Sequence, residues 1–104
     1  MVPLNNLHPA LLLLRKIPKG KVVTYKELAR AAGTSPRAVG QILKRNPRTD
    51  ICPCYKVIRS DRTLGGYAGE TKGTNIEKKI MLLAQDGVIV KGGRIDARYL
   101  WSFP

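Results

Sequence analysis

Cys52-Pro53-Cys54 places two thiols around one proline, and these are the residues of the chain best suited to covalent chemistry. A cysteine attacks as its thiolate, so its presentation decides what it can do. Pro53 fixes its own φ and pushes Cys52 towards an extended conformation, which sets Cys54 at a bend leading into the apolar pair Val57-Ile58. The bend reads either as an aimed nucleophile or as a small buried hydrophobe at the start of a strand. Cysteines one residue apart scarcely bridge each other, and the single histidine, His8, lies far upstream, so a four-ligand zinc site cannot be assembled. No metal and no cofactor are expected. His8 precedes Pro9 at a helix start, where capping suits it better than ligation.

Several elements must position that bend. Leu7 to Ile17 reads as a first helix, with Pro9 in its first turn and Pro18 and Gly20 closing it. Lys21 to Thr24 is short and extended, and Thr24-x-x-Glu27 has the capping-box spacing that opens a second helix, ended by Gly33. Thr34-Ser35-Pro36 offers a hydroxyl cap and a first-turn proline for a third helix, which stops near Asn46-Pro47. Ala38, Val39, Ile42 and Leu43 share one face of it, while Arg37, Gln41 and Lys44 line the other. Two short helices joined by a tight glycine turn, the second with a polar basic stripe, form the helix-turn-helix pattern, which small helical bundles also share. Downstream, Arg59 to Arg62 reads as a turn and Leu64 to Gly69 as a glycine-rich loop without the ending of a phosphate-binding P-loop. Thr74-x-x-Glu77 opens a fourth helix, with Ile76, Ile80, Leu83 and Ala84 expected to be buried, and Gly87 ends it. Gly92-Gly93 between Val88–Lys91 and Arg94–Asp96 is a hairpin signature.

The chain has 104 residues, room for one domain with one modest core. Nineteen Lys and Arg against seven Asp and Glu give a net charge of +12, more than solubility needs, and a polyanion follows as the partner. From Arg15 to Arg48 ten basic residues face one acid, Glu27, which makes a patch. The leucine run Leu11 to Leu14 is too short to span a bilayer, and the first residues lack signal-peptide features. A cytoplasmic monomer with no membrane partner is expected.

With these pieces in order, the chain resembles the C-terminal, active domain of the O6-alkylguanine-DNA alkyltransferases, also called methylated-DNA-protein-cysteine methyltransferases. The resemblance runs from about Leu11 to Trp101. The family's Pro-Cys-His-Arg-Val signature stands here as Pro53-Cys54-Tyr55-Lys56-Val57, preceded by Asn46-Pro47. Val22 to Ala29 matches the segment carrying the family's tyrosine, at Tyr25, and Arg37-Ala38-Val39-Gly40 its Arg-Ala-Val-Gly. Gly65-Gly66-Tyr67-Ala68-Gly69 and Leu82 to Gly87 fit its active-site loop and last helix.

The resemblance implies an α+β, mainly helical, winged helix-turn-helix with a small hairpin wing. It implies binding of double-stranded DNA from the minor groove, extrusion of an O6-alkylguanine and irreversible transfer of the alkyl group to Cys54. Arg37 would fill the gap in the base stack, while Thr24, Tyr25, Gln41, Lys44 and Arg45 would contact DNA. Tyr25 would also offer its hydroxyl to the guanine, and Asn46 would hold the turn that presents Cys54. Tyr67, Ala68, Gly69 and Lys79 would wall the alkylguanine pocket, with Cys54 exposed at its mouth.

The match departs from the family at the activating residues. The family's histidine and glutamate positions are Tyr55 and Asp86 here, and a phenol with a reference pKa of about 10 is a poor base where an imidazole near 6.5 is a good one. Activation is then expected from Tyr55 relaying a hydrogen bond, Asp86 holding the negative end, and Lys56 helping to lower the thiol from its free pKa of about 8.5. The connection from Gly33 to Arg37 is also shorter than the family's. The usual N-terminal domain is absent, which makes the chain a single domain over 1–104, either a minimal form or a piece of a longer one. Two other readings compete. One is an alkyltransferase-like lesion sensor that binds without transfer; those proteins usually lack the cysteine. The other is a plain winged-helix regulator, which would have no need of Pro53-Cys54 or the glycine loop.

Overall fold

The computed structural model of the chain describes residues 3–65 and 74–104. Helix α1, Pro9–Leu14, begins where a proline costs no hydrogen bond, and Nδ1 of His8 caps it by accepting the Ala10 N–H at 3.0 Å. It is shorter than the run of leucines implies. Leu7 lies in extended backbone before the cap, and beyond Leu14 the chain tightens into three-residue turns ahead of Pro18. Leu7 and Ile17 are buried all the same.

Strand β1, Val23–Thr24, leads into helix α2, Tyr25–Ala32, and Thr24 Oγ1 accepts the Glu27 N–H at 3.0 Å. Only half of the expected capping box is made. The Glu27 carboxylate turns instead to the Arg30 guanidinium at 2.6–2.8 Å and to the Phe103 N–H at 2.8 Å, while Arg30 donates to the Phe103 carbonyl. A hydrogen-bonded clasp thus holds the last residues against α2. Gly33 ends α2 with φ of 72°, and Ser35 Oγ caps helix α3, Pro36–Lys44, by accepting the Ala38 N–H.

Strand β2, Val57–Ile58, pairs in parallel with β1, Val23 opposite Val57 and Thr24 opposite Ile58. Parallel neighbours need a long crossover, and here α2 and α3 supply it. Helix α4, Thr74–Gln85, follows, then strands β3, Val90–Lys91, and β4, Arg94–Ile95, an antiparallel hairpin. Its turn needs left-handed backbone at both central residues, which Gly92 and Gly93 supply at φ of 58° and 75°.

The interior has two apolar clusters. One joins α1, α2 and α3 through Leu11, Leu14, Leu28, Val39 and Leu43, and takes in Cys52, Cys54, Val57 and Phe103. The other gathers Val22, Ile58, Leu83, Val88 and Ile95 under the hairpin. One expectation for α4 fails here. Ile80 and Ala84 are exposed, and the fully buried positions are Leu83 and Lys79, because the helix turns its lysine rather than its isoleucine towards β2. The architecture is a helix-rich α+β winged helix-turn-helix, α2 and α3 forming the helical pair. Among the described residues no helix is long and apolar enough to cross a membrane.

The clasp on α2 has a pH signature. Hydrogen bonds from Arg30, which outweigh partial burial, and the Phe103 N–H hold the Glu27 carboxyl below its usual value near 4.5. The stability from that depressed pKa is fully present above about pH 4.5 and is lost as pH falls through the folded-state value. Thermal melts between pH 6 and pH 3 should show that loss in the native chain and a flatter acid limb in Glu27→Gln.

Candidate functional site

The turn between α3 and β2 presents one thiol and hides the other. Asn46 follows the end of α3, and its side chain works in two directions: Oδ1 accepts the Arg48 N–H at 2.9 Å and Nδ2 donates to the Cys52 carbonyl at 3.0 Å. Pro53, at φ −76° and ψ 74°, is the centre of an inverse γ-turn, closed by the Cys54 N–H on that same Cys52 carbonyl at 2.8 Å. Two donors on one oxygen leave the peptide before Cys54 little freedom. Cys54 then opens a 3-10 turn, Cys54–Lys56, that runs into β2.

Cys52 is fully covered, whereas Cys54 keeps 8% of its surface accessible. Cys54 is less open than a thiol at a pocket mouth would be, since the γ-turn draws it into the first apolar cluster. That cover sets its acidity. Burial pushes the Cys54 thiol up from its ordinary value, against a hydrogen bond from Asn46 and the charge of Lys79, which pull it down. This runs against the expected lowering: desolvation outweighs the groups that favour the thiolate.

Two lysines lie deep beside this turn, and they are neutralised differently. Lys56 is nearly covered, its Nζ 2.8 Å from Asp86 Oδ2 and 2.8 Å from the Pro18 carbonyl. Asp86 also accepts the Gly20 N–H at 3.0 Å. The scheme in which Lys56 favours the thiolate and Asp86 ends its relay is thus corrected: the two charges cancel each other, and they staple the Cys54 turn to the C-terminal end of α4 and to the turn before β1. One cue was legible. A carboxylate at the negative end of a helix calls for a cation, and Lys56 is that cation.

The Lys79 Nζ donates to the carbonyls of Val57 at 2.8 Å and Leu64 at 2.6 Å. Burial lowers its pKa to about 8, with the Cys54 sulfur acting in the opposite sense. The lysine expected as a pocket wall or a solvated helix residue is an interior ammonium within electrostatic reach of the thiol. Charge on both partners is favoured together.

Tyr25, the first residue of α2, packs its ring against Gly65, where a Cβ would come within 2.9 Å of the phenol oxygen. Gly65 itself has φ of 72°. The glycine is therefore needed twice, for its backbone and for the absent side chain. Arg37, Gln41, Lys44 and Arg45 are all exposed on or next to α3, while Val39 and Leu43 face inward, as the spacing predicts. Thr24 is half-buried with its oxygen spent on the α2 cap. Tyr55 packs partly buried between the two apolar clusters. Tyr67, Ala68 and Gly69 lie outside the described residues.

Comparison with known proteins now becomes informative. The model for the family described as 6-O-methylguanine DNA methyltransferase, DNA binding domain, matches residues 9–88. A methylated-DNA–protein-cysteine methyltransferase of Pyrobaculum aerophilum is 44% identical over 89 residues, covering 86% of this chain and 57% of that protein. One from Methanothermobacter thermautotrophicus is 42% identical over 80 residues, covering 77% of this chain and 43% of its own length. The chain thus spans about half the length of these relatives. Among solved structures, S. pombe Atl1 in complex with damaged DNA containing O6-carboxymethylguanine matches with a TM-score of 0.74 at 28% identity, covering 90% of this chain and 92% of that one. The O6-methylguanine-DNA methyltransferase from Pyrococcus kodakaraensis matches with a TM-score of 0.66 at 40% identity, covering 76% of this chain and 44% of that one.

The Lys56–Asp86 staple predicts an asymmetric response to mutation. Asp86→Ala strands a buried ammonium and should cost about 3–5 kcal/mol in urea unfolding, whereas the paired replacement Lys56→Met with Asp86→Leu should cost far less. Equal losses in the two variants would contradict the pairing.

Proposed function

Because the chain belongs to the 6-O-methylguanine DNA methyltransferase, DNA binding domain, family, we propose that it repairs O6-alkylguanine in double-stranded DNA by taking the alkyl group onto Cys54. The observation that carries this reading is the Cys54 thiol, buried at the end of a fixed turn, with the Asn46 amide and the buried Lys79 ammonium both favouring its thiolate. Pro53 to Val57 serves as the family's signature with Tyr55 in the histidine position. The α3 stripe of Arg37, Gln41, Lys44 and Arg45, with Thr24 and Tyr25, lies against the DNA, and Arg37 fills the stack when the guanine swings out. A damaged, weakly paired base is the cheapest to extrude.

Transfer is an in-line displacement. A sulfur lone pair of the Cys54 thiolate forms the new S–C bond, the C–O6 bond breaks, and its electrons stay on guanine, which takes up a proton and leaves neutral. Tyr25 offers its hydroxyl for a hydrogen bond to that base. Lys79 is the cation that favours the thiolate, and the guanine ring, by displacing solvent, completes the pocket with Tyr67, Ala68 and Gly69. No cofactor enters, since the driving force is exchange of an aryl ether for a thioether. Each chain acts once.

A second reading, lesion binding without transfer, is favoured by two observations: burial raises the pKa of the thiol, and the match to S. pombe Atl1 covers both chains almost throughout. Intact-protein mass spectrometry after incubation with O6-methylguanine duplex separates the two. Transfer adds one methyl group, mapped to Cys54 and absent from Cys54→Ser; binding with no mass gain supports the second reading instead.

The pH profile carries a further prediction. The transfer rate should climb with pH as the thiol ionises and level off above about pH 8, where Lys79 loses its proton. Lys79→Met should slow transfer at pH 7 by about tenfold for each unit its loss raises the thiol pKa, and should remove the levelling. A melting profile of the variant distinguishes this from unfolding.

A further inference from the structure

A concentration of positive charge outside α3 lies on the hairpin, over the second apolar cluster. Arg62, Lys91, Arg94 and Arg98, with the single acid Asp96, line a cleft of about 190 Å³ floored by Ile95 and Tyr99. Asp96 offsets only one of the four charges, and its Oδ1 accepts the Arg98 N–H at 2.9 Å as a turn cap. Nearby Asp61 spends an oxygen on Thr63, taking both its N–H at 3.0 Å and its hydroxyl at 2.7 Å. Among the described residues none of the four cations is in an ion pair.

Two features make this a built cleft rather than a solvated face. The Arg98 guanidinium carbon lies 4.8 Å from the Tyr99 ring centroid, and one of its nitrogens donates to the Tyr99 hydroxyl at 2.9 Å, so the fork is held in place. Arg62 has φ of 69°, the one non-glycine residue with positive φ among those described. Its backbone is pinned there, its N–H on the Arg59 carbonyl and its carbonyl accepting the Ile95 N–H at 3.0 Å. Glycine or asparagine would take that conformation at less steric cost, yet an arginine occupies it and faces the cleft.

We infer that this cleft is a second phosphate-binding site, separate from α3, that takes backbone phosphates of nucleic acid. Guanidinium forks match phosphate oxygens in pairs, and three arginines with a lysine converge here. The location separates it from the reading groove: α3 packs on α1 and α2 over the first apolar cluster, whereas the hairpin covers the second.

Salt dependence of binding to undamaged duplex tests this. Lys91 and Arg94 are exposed on facing strands, and the double variant Lys91→Gln with Arg94→Gln should keep its melting temperature. It should weaken binding several-fold at low salt and lower the slope of log K against log salt by about 1–2, and that loss should add to the one from Lys44→Gln on α3. An unchanged slope with the fold intact would overturn the inference, whatever Lys44→Gln does. A nucleotide or inorganic phosphate arm assigns the source. If these shift the NMR signals of Arg62 and Arg98 while the duplex slope stays the same in the variant, the cleft serves free phosphates and the nucleic-acid assignment fails.

Discussion

Two residues of parallel strand carry more than their length. Pairing of Val23 with Val57 and Thr24 with Ile58 joins the start of α2 to the end of the Cys54 turn. Every other relation in the site follows from that register. Slipping it by one residue would turn the buried valines outward and move Tyr25 away from Gly65. The helix-turn-helix pair is the crossover that such a parallel connection requires, so the basic surface and the thiol are two ends of one topological unit.

Around that register the interior contains two buried ammonium groups with opposite consequences. Lys56 is matched by a full countercharge and by a carbonyl, and the pair acts as a structural staple between the Cys54 turn, the end of α4 and the turn before β1. Lys79 meets carbonyl dipoles and a titratable sulfur, so its proton is loosely held, with a pKa near 8. Taking an ion from water costs several kcal/mol, and for Lys56 the Asp86 carboxylate offsets that cost. The difference separates a charge that holds structure from one that can respond to chemistry at Cys54.

Desolvation also governs the thiol. A sulfur drawn into an apolar cluster is protected but weakly acidic, and Asn46 and Lys79 oppose this from two different elements. The Cys52 carbonyl, tied by both Asn46 and the γ-turn, is what keeps the sulfur between them.

Local chemistry is what the sequence by itself determined. His8, Thr24 and Ser35 as caps, Gly33 and Gly87 as helix stops, Gly92-Gly93 as a hairpin turn, and the buried and basic faces of α3 all depend on neighbours a few residues away, so they were legible in order. The bend at Pro53 was legible for the same reason. Only the tertiary structure decided which cation meets which partner. Lys56 and Asp86 are thirty residues apart, Glu27 turned from its own cap to Phe103, and α4 buried Lys79 while exposing Ile80, because β2 presents carbonyls where a hydrophobe was expected. Capping and turn preferences are short-range energies of one backbone segment; the pairing of buried charges is a long-range one, settled by which elements pack together.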